Sequence, residues 1–307
     1  MKRDLLKAWI LASRPRTLPL SLAGMLMGSF LALAQNKFNI WVFVFAAITS
    51  LLLQILSNMA NDYGDSVWGA DNVHREGPDR AVQSGLINAT LMKKGIRVIV
   101  FITFISGILL LLSAAGFNLK SAFFKQGFLF FLIAGILAIF AAILYTNGKK
   151  PYGYIGLGDI FVFLFFGIVS VMGTFYLHTL IFDWKCLLPA SSCGLFSVAV
   201  LNLNNIRDIN SDVHAGKKSI PVRIGRKKAI CYHALLLFAG FVTALIYLII
   251  IFKSYRQFIF ILTIPLFVSN AVAVNRYEEA MKLDPYLKQL ALSTLLFVIC
   301  FGIGILL

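Results

Sequence analysis

Long apolar stretches alternate with short polar ones along this 307-residue chain. A run of about 20 mostly apolar residues suffices to cross a hydrocarbon core. Nine such runs can be read: 17–35, 39–60, 98–117, 127–145, 160–182, 186–206, 229–252, 258–274 and 289–307. Phe, Leu and Ile fill them without strict apolar–polar alternation, so the pattern predicts spanning helices and argues against barrel strands. Two runs are weaker: 186–206 ends in Asn-rich sequence, and 258–274 is short and holds Pro265. The first sixteen residues are basic but lack an apolar run closed by small residues, so the first run reads as a retained span and not as a cleaved leader. One membrane-embedded domain over residues 1–307 is expected.

Composition supports this reading. The chain is 59% hydrophobic and 13% charged, whereas an ordinary soluble domain carries about one quarter charged residues. The net charge of +15 invites a nucleic-acid reading, but its distribution argues otherwise. With the N-terminus in the cytoplasm, 22 of the 28 Lys and Arg fall on the cytoplasmic side. Only Lys37, Lys120, Lys125, Lys185, Lys253 and Arg256 fall outside. This is the positive-inside pattern of a multi-pass protein, and an odd number of spans puts the C-terminus outside. The implied partners are membrane lipid and an anionic substrate, with no nucleic acid. Cys186, Cys193, Cys231 and Cys300 form no CxxC pair and lie in or beside apolar runs. They read as packing residues, without zinc or a disulfide frame.

The acids are rarer and more telling. Of 13 Asp and Glu, only Asp183 falls outside in this orientation, a bias that the positive-inside rule does not predict. Two clusters follow the second and sixth runs. The first holds Asn58, Asn61, Asp62 and Asp65, then Asp71 and Asn72; the second holds Asn202, Asn204, Asn205, Asp208 and Asp212. If each helix continues through its cluster, Asp62/Asp65 and Asp208/Asp212 stand at i,i+3 and i,i+4 and share a face. Polar groups at membrane depth are expensive and usually functional. Crowded carboxylates repel unless a cation lies between them. Magnesium suits such a site, because it takes oxygen ligands and is held by one or two carboxylates plus substrate phosphates. Solvated loop acids are the plain alternative, and the repeated pairing argues against it. An EF-hand does not fit, since its Gly and Glu positions are missing.

Cations for a diphosphate lie in the same loops: Arg75 and Arg80, Lys149 and Lys150, then Lys217, Lys218 and Arg223. Lys serves phosphate as a point charge and Arg as a fork. Each also serves as an ordinary topology signal. The recurrence of a span followed by an acidic loop about 145 residues later suggests related halves.

At these residues the chain resembles the UbiA superfamily of intramembrane aromatic prenyltransferases. The family carries an Asn/Asp-rich motif near NDxxDxxxD after its second helix and DxxxD after its sixth. The second is present as Asp208-Ile-Asn-Ser-Asp212. The first is present as Asn61-Asp62-Tyr-Gly-Asp65, but position 69 is Gly and the third acid is Asp71. That departure, with Ser13-Arg-Pro-Arg-Thr-Leu-Pro and Lys150-Pro-Tyr-Gly-Tyr-Ile-Gly-Leu-Gly-Asp159, is similar to the branch acting on 1,4-dihydroxy-2-naphthoate. The resemblance implies nine transmembrane helices around a central cavity with a polar cytoplasmic cap, in a bacterial cytoplasmic (inner) membrane. It implies transfer from polyprenyl diphosphate to 1,4-dihydroxy-2-naphthoate with loss of diphosphate and CO2, giving demethylmenaquinol in menaquinone biosynthesis.

In that reading Asp62, Asp65, Asp71, Asp208 and Asp212 hold Mg2+. Asn58, Asn61, Asn204 and Asn205 assist, and Arg75, Lys149 and Lys150 add charge. Tyr145 and Tyr152 are the best-placed rings for an allylic cation. Arg14 or Arg16 is placed to bind the acceptor carboxylate or to anchor the first span. The alternatives are a sibling transferase using 4-hydroxybenzoate or homogentisate, and a secondary transporter, which also has repeated halves but keeps polar groups near the bilayer centre.

Overall fold

The computed structural model describes residues 2–67, 80–118, 127–148 and 151–307. Among the described residues the regular structure is entirely helical. The helices are α1 (Lys2–Ser13), α2 (Leu18–Ala34), α3 (Ile40–Val67), α4 (Ala89–Ala114), α5 (Phe128–Leu144), α6 (Gly158–Thr179), α7 (Leu187–Arg207), α8 (Ile209–His214), α9 (Ile220–Ile224), α10 (Arg226–Ile250), α11 (Tyr255–Arg276) and α12 (Ala280–Leu306). Eight described helices are long and apolar enough to cross a membrane, and α5 is a shorter apolar helix of 17 residues. Each predicted run falls on one of these nine.

The helix ends differ from the apolar runs. α3 continues to Val67, α4 starts at Ala89 and α12 at Ala280. Backbone hydrogen bonding does not stop where side chains turn polar, so these helices project past their apolar stretches. The start of α4 is fixed by Asn88, whose side chain accepts the Leu91 N–H at 2.7 Å, an N-cap. Residues 2–13, read from sequence only as a basic tail, form α1. It lays Ala8 and Ala12, each 1% exposed, against the bundle. Trp9 fills the space at Gly95, where an added Cβ would stand 2.5 Å from the indole. α11 begins as a 3-10 turn, Tyr255–Thr263, and becomes α-helical at Ile264. Pro265 is in that first α turn, where a missing N–H costs nothing.

α2 lies centrally and packs on α3, α6, α7 and α12. The crossing with α6 is close because both helices are small there: a Cβ on Gly28 would be 2.4 Å from the Val171 carbonyl. α6 widens into a π-helical segment at Phe163–Val169, and Gly167 abuts Ala190 and Gly194 of α7. The C-terminal helices are solid. Phe196, Phe241, Phe260, Phe267 and Phe297 stack across α7, α10, α11 and α12, with centroids such as 4.6 Å for Phe196–Phe267. Helices α2 to α7 instead enclose a cavity of ≈ 390 Å³, apolar along α4, α5 and α6 and polar at one end.

Candidate functional site

The polar end of the cavity is where the two acid clusters meet. Because α3 stays helical to Val67, it carries Asp65 to the cavity mouth, 2% exposed. The second cluster follows a break: α7 ends at Arg207, and Asp208 caps it before α8 begins. The i,i+4 relation survives the break, since the Asp212 N–H donates to the Asp208 carbonyl at 2.8 Å. Lys217 joins the two clusters. Its Nζ is 3.3 Å from Asp65 Oδ1 and 3.5 Å from Asp212 Oδ1, and it lies 4.8 Å over the Tyr154 ring.

Asp65 is the hub. It pairs with Arg80 through Oδ2 and accepts the Tyr154 hydroxyl at 2.6 Å on Oδ1. Asp212 accepts Ser219 Oγ at 3.3 Å. Burial outweighs Lys217 at Asp212, and with the Asp208 and Asp65 charges nearby its carboxyl is pushed up to about 6. Asp208 is gripped by the Arg207 fork, Nε to Oδ1 and Nη2 to Oδ2, both 2.7 Å. Asn204 Oδ1 accepts the same Nη2 at 3.0 Å.

The remaining sequence candidates divide. Asp62 is 2% exposed, and its carboxylate accepts the Ala81 and Val82 N–H groups at 3.0 and 3.2 Å. It therefore shares α3 with Asp65 but holds the following loop. Asn58 donates to the Ser13 carbonyl (2.8 Å) and Thr17 Oγ1 (3.1 Å), tying α3 to the N-terminal segment. Asn61 accepts Thr146 Oγ1 at 3.2 Å. Asn205, Arg14 and Arg16 line the cavity. Tyr145 meets Tyr152 edge-on at 5.3 Å, and Tyr152 stacks on Phe161 at 4.1 Å, forming an aromatic wall beside the acids. Burial pushes the Tyr152 phenol well above its ordinary range, so it remains protonated. Asp71, Arg75, Lys149 and Lys150 lie outside the described residues.

Sequence reasoning passed over three participants. Tyr154 reads as one Tyr in a Gly-rich loop. Arg207 is a single cation beside an acid, and Asp284 an isolated acid in a basic segment. No spacing rule couples them, since Asp284 reaches Arg207 only through the fold, Nη1 to Oδ1 at 2.6 Å.

The fold and site define a class: a multi-helix membrane protein whose apolar chamber opens onto an acidic, cation-braced mouth, suited to an amphiphile with an anionic head. Residues 21–293 match the UbiA prenyltransferase family, and the chain belongs to it. A Haemophilus influenzae 1,4-dihydroxy-2-naphthoate octaprenyltransferase is 42% identical over 308 residues, covering 100% of this chain and 98% of that protein. An Escherichia coli protein of the same description is 44% identical, over 97% of this chain and 95% of its own. The structure of a UbiA homolog from Archaeoglobus fulgidus, bound to DMAPP and Mg2+, shares the fold at a TM-score of 0.58 and 14% identity, covering 97% of this chain and 99% of that one.

Proposed function

We propose that this chain transfers a polyprenyl group from polyprenyl diphosphate to 1,4-dihydroxy-2-naphthoate, releasing diphosphate and CO2 and giving demethylmenaquinol. The observation that carries the reading is the convergence of Asp65 and Asp212, from separate helices, on one cation at the mouth of an apolar cavity.

The donor chemistry fits Mg2+. The converging groups are hard carboxylate oxygens, and Lys217 stands in for a cation between them. Among the described residues no group of three or more His, Cys, Asp or Glu forms a closed metal cage. A two-carboxylate site completed by water and substrate phosphates is the usual magnesium arrangement. Asp65 and Asp212, with Asp208 and Asn204 or Asn205 beside them, would hold the ion, and its charge would ease departure of the diphosphate.

The chain's own groups do the rest. Lys217 and Arg80 offset the charge of the departing diphosphate, and Arg75, Lys149 and Lys150 are proposed from the sequence for the same work. The allylic C–O bond breaks with its electron pair leaving on the diphosphate. The cavity excludes water, which would otherwise capture the allylic cation. The ring faces of Tyr145 and Tyr152 lie beside the acids, where they favour that cation. The electron-rich naphthoate ring then supplies the electrons for the new C–C bond, and its carboxyl leaves as CO2. Asp62 serves by holding the loop that delivers Arg80. The prenyl tail gains about 0.8 kcal/mol for each CH2 kept from water, which accounts for a site built inside the bilayer. We place the whole chain as one domain in the bacterial cytoplasmic membrane, with the N-terminus inside and the C-terminus outside.

The test uses purified protein in detergent with Mg2+, a polyprenyl diphosphate and a panel of aromatic acids. Prenylated naphthoquinol and released CO2 are expected from the dihydroxynaphthoate. Product from 4-hydroxybenzoate or homogentisate alone overturns the acceptor, and no product from any acid overturns the enzyme reading.

A further inference from the structure

Four charges of alternating sign run from the cavity mouth into the second acid cluster. Arg16 Nη1 donates to both oxygens of Asp284, at 2.8 and 2.7 Å. Asp284 Oδ1 also accepts Arg207 Nη1 at 2.6 Å, and Arg207 forks Asp208. Three distant parts of the chain supply them: the turn before α2, the end of α7 and the start of α12. Asp284 is held in place by buried neighbours, since Leu283 is fully buried and Leu287 is 6% exposed on the same helix.

The two arginines are used differently. Arg207 is 3% exposed and commits Nε, Nη1 and Nη2 to protein acceptors. Arg16 lines the cavity, and among the described residues its hydrogen bonds run from Nη1 to Asp284. A guanidinium fixed at one corner presents its remaining N–H groups as a preset fork, the geometry that binds a carboxylate through two parallel hydrogen bonds. The long, mobile Arg side chain would otherwise lose rotamer entropy on binding.

We propose that Asp284 is a positioning residue: it aims Arg16 into the cavity as the binding arm for the acceptor's carboxylate, and through Arg207 it ties that arm to Asp208. This deepens the proposed prenyl transfer to an aromatic acid and rests on it. A carboxylate seated on Arg16 is thereby held in a fixed relation to the second acid cluster.

The experiment measures equilibrium binding of 1,4-dihydroxy-2-naphthoate to detergent-solubilised protein in EDTA, which needs no turnover, beside KM for each substrate. Wild type is compared with Asp284→Asn, Asp284→Glu and Arg16→Met. 1,4-Dihydroxynaphthalene, which lacks the carboxyl, serves as the control ligand. The loss of one charge-assisted contact predicts naphthoate binding weaker by about tenfold or more in Asp284→Asn and Arg16→Met, recovered to within about threefold by Asp284→Glu. Binding of the carboxyl-free diol, and KM for the prenyl diphosphate, stay near wild type. Equal naphthoate binding by wild type and Asp284→Asn overturns the proposal. So does an equal loss for naphthoate and diol, which marks a merely structural residue. If Asp284→Asn does not fold, Arg16→Met decides, because it leaves the Arg207–Asp208 fork intact. A wild type that prenylates a different aromatic acid refutes the naphthoate reading alone, and the comparison is then made with that acid.

Discussion

Replacing Lys217 by Met removes the cation shared by Asp65 and Asp212 while keeping most of the side chain's bulk. The Lys217 side chain is 17% exposed, and its two carboxylate partners are 3% and 8% exposed. At separations of 3.3 and 3.5 Å, each attraction is roughly 5 kcal/mol gross for an effective dielectric near 20. Desolvation of the three groups cancels much of that. Deleting one partner of a buried pair commonly costs about 3–5 kcal/mol, because a buried charge is left without its counter-ion. The lower end applies here, since Asp65 keeps Arg80 and Tyr154, and Asp212 can take up a proton. The expected loss is about 3 kcal/mol, which by soluble-domain scaling lowers the unfolding midpoint by roughly 6–12 °C.

The loss should depend on pH in a defined direction. Burial already raises the Asp212 pKa to about 6, and removing Lys217 raises it further above the value of about 3.9 for an unfolded chain. A group whose folded pKa is raised contributes stability at low pH that is lost as pH rises through the folded value. The Asp212 part of the Lys217→Met deficit is therefore small near about pH 5 and grows as pH rises toward about 8, on top of the loss of the Lys217–Asp65 pair, which protonation of Asp212 leaves in place. Thermal unfolding in detergent with EDTA, run in parallel on wild type across that range, measures it. An unchanged midpoint at the alkaline end, or a deficit that grows on acidification, would refute the bridging role.

Other outcomes follow from the same geometry. Chelation should abolish transfer and added Mg2+ restore it, whereas Asp65→Asn should lose about 10²–10³-fold in kcat that no metal concentration recovers, as judged by product formation. Tyr154→Phe keeps the ring under Lys217 but removes the 2.6 Å hydrogen bond to Asp65; a loss of about 1–2 kcal/mol of transition-state stabilisation is expected, read as kcat/KM at saturating Mg2+. Gly64→Ala would put a Cβ 2.6 Å from Thr146 Oγ1 and 2.8 Å from its carbonyl oxygen. It should cost about 1–3 kcal/mol in thermal stability, and a midpoint matching wild type would show that α3 and the Thr146 turn are free to separate.

Much of the architecture was legible because lipid imposes a strong rule on sequence. A backbone in hydrocarbon must satisfy its own hydrogen bonds, so a 20-residue apolar run has few options besides helix. Each run therefore fell on a described helix, eight of them long and apolar enough to cross a membrane, and the two weaker ones proved helical despite Asn202, Asn204 and Pro265. Helix ends were less legible. The periodic signal fades outside the membrane while helical hydrogen bonding continues, as in the Asn-Asp stretch of α3 and the opening turns of α12.

The acid motifs announced themselves by rarity: carboxylates beside apolar helices are costly, and they recurred at helical spacing. Which oxygen faces which partner was another matter. Asp62 and Asp65 are three residues apart on one helix, yet one caps a loop and the other meets Lys217 and Arg80 at the cavity mouth. Spacing alone placed both on one face and did not separate their partners, because it fixes a helix face only to within about a hundred degrees.

By itself, then, the sequence determined the membrane class, the helical character of the apolar runs, the family and the presence of two acid clusters beside those helices. These follow from local composition and short spacing, which the chain carries wherever it folds. Only the tertiary structure decided that Lys217 bridges Asp65 and Asp212, that Asp284 joins Arg16 to Arg207, and that Tyr145 and Tyr152 form one wall. Those contacts link residues separated by up to 268 positions. Their partners are chosen by helix packing and by the cost of leaving a buried charge alone, which no local pattern encodes.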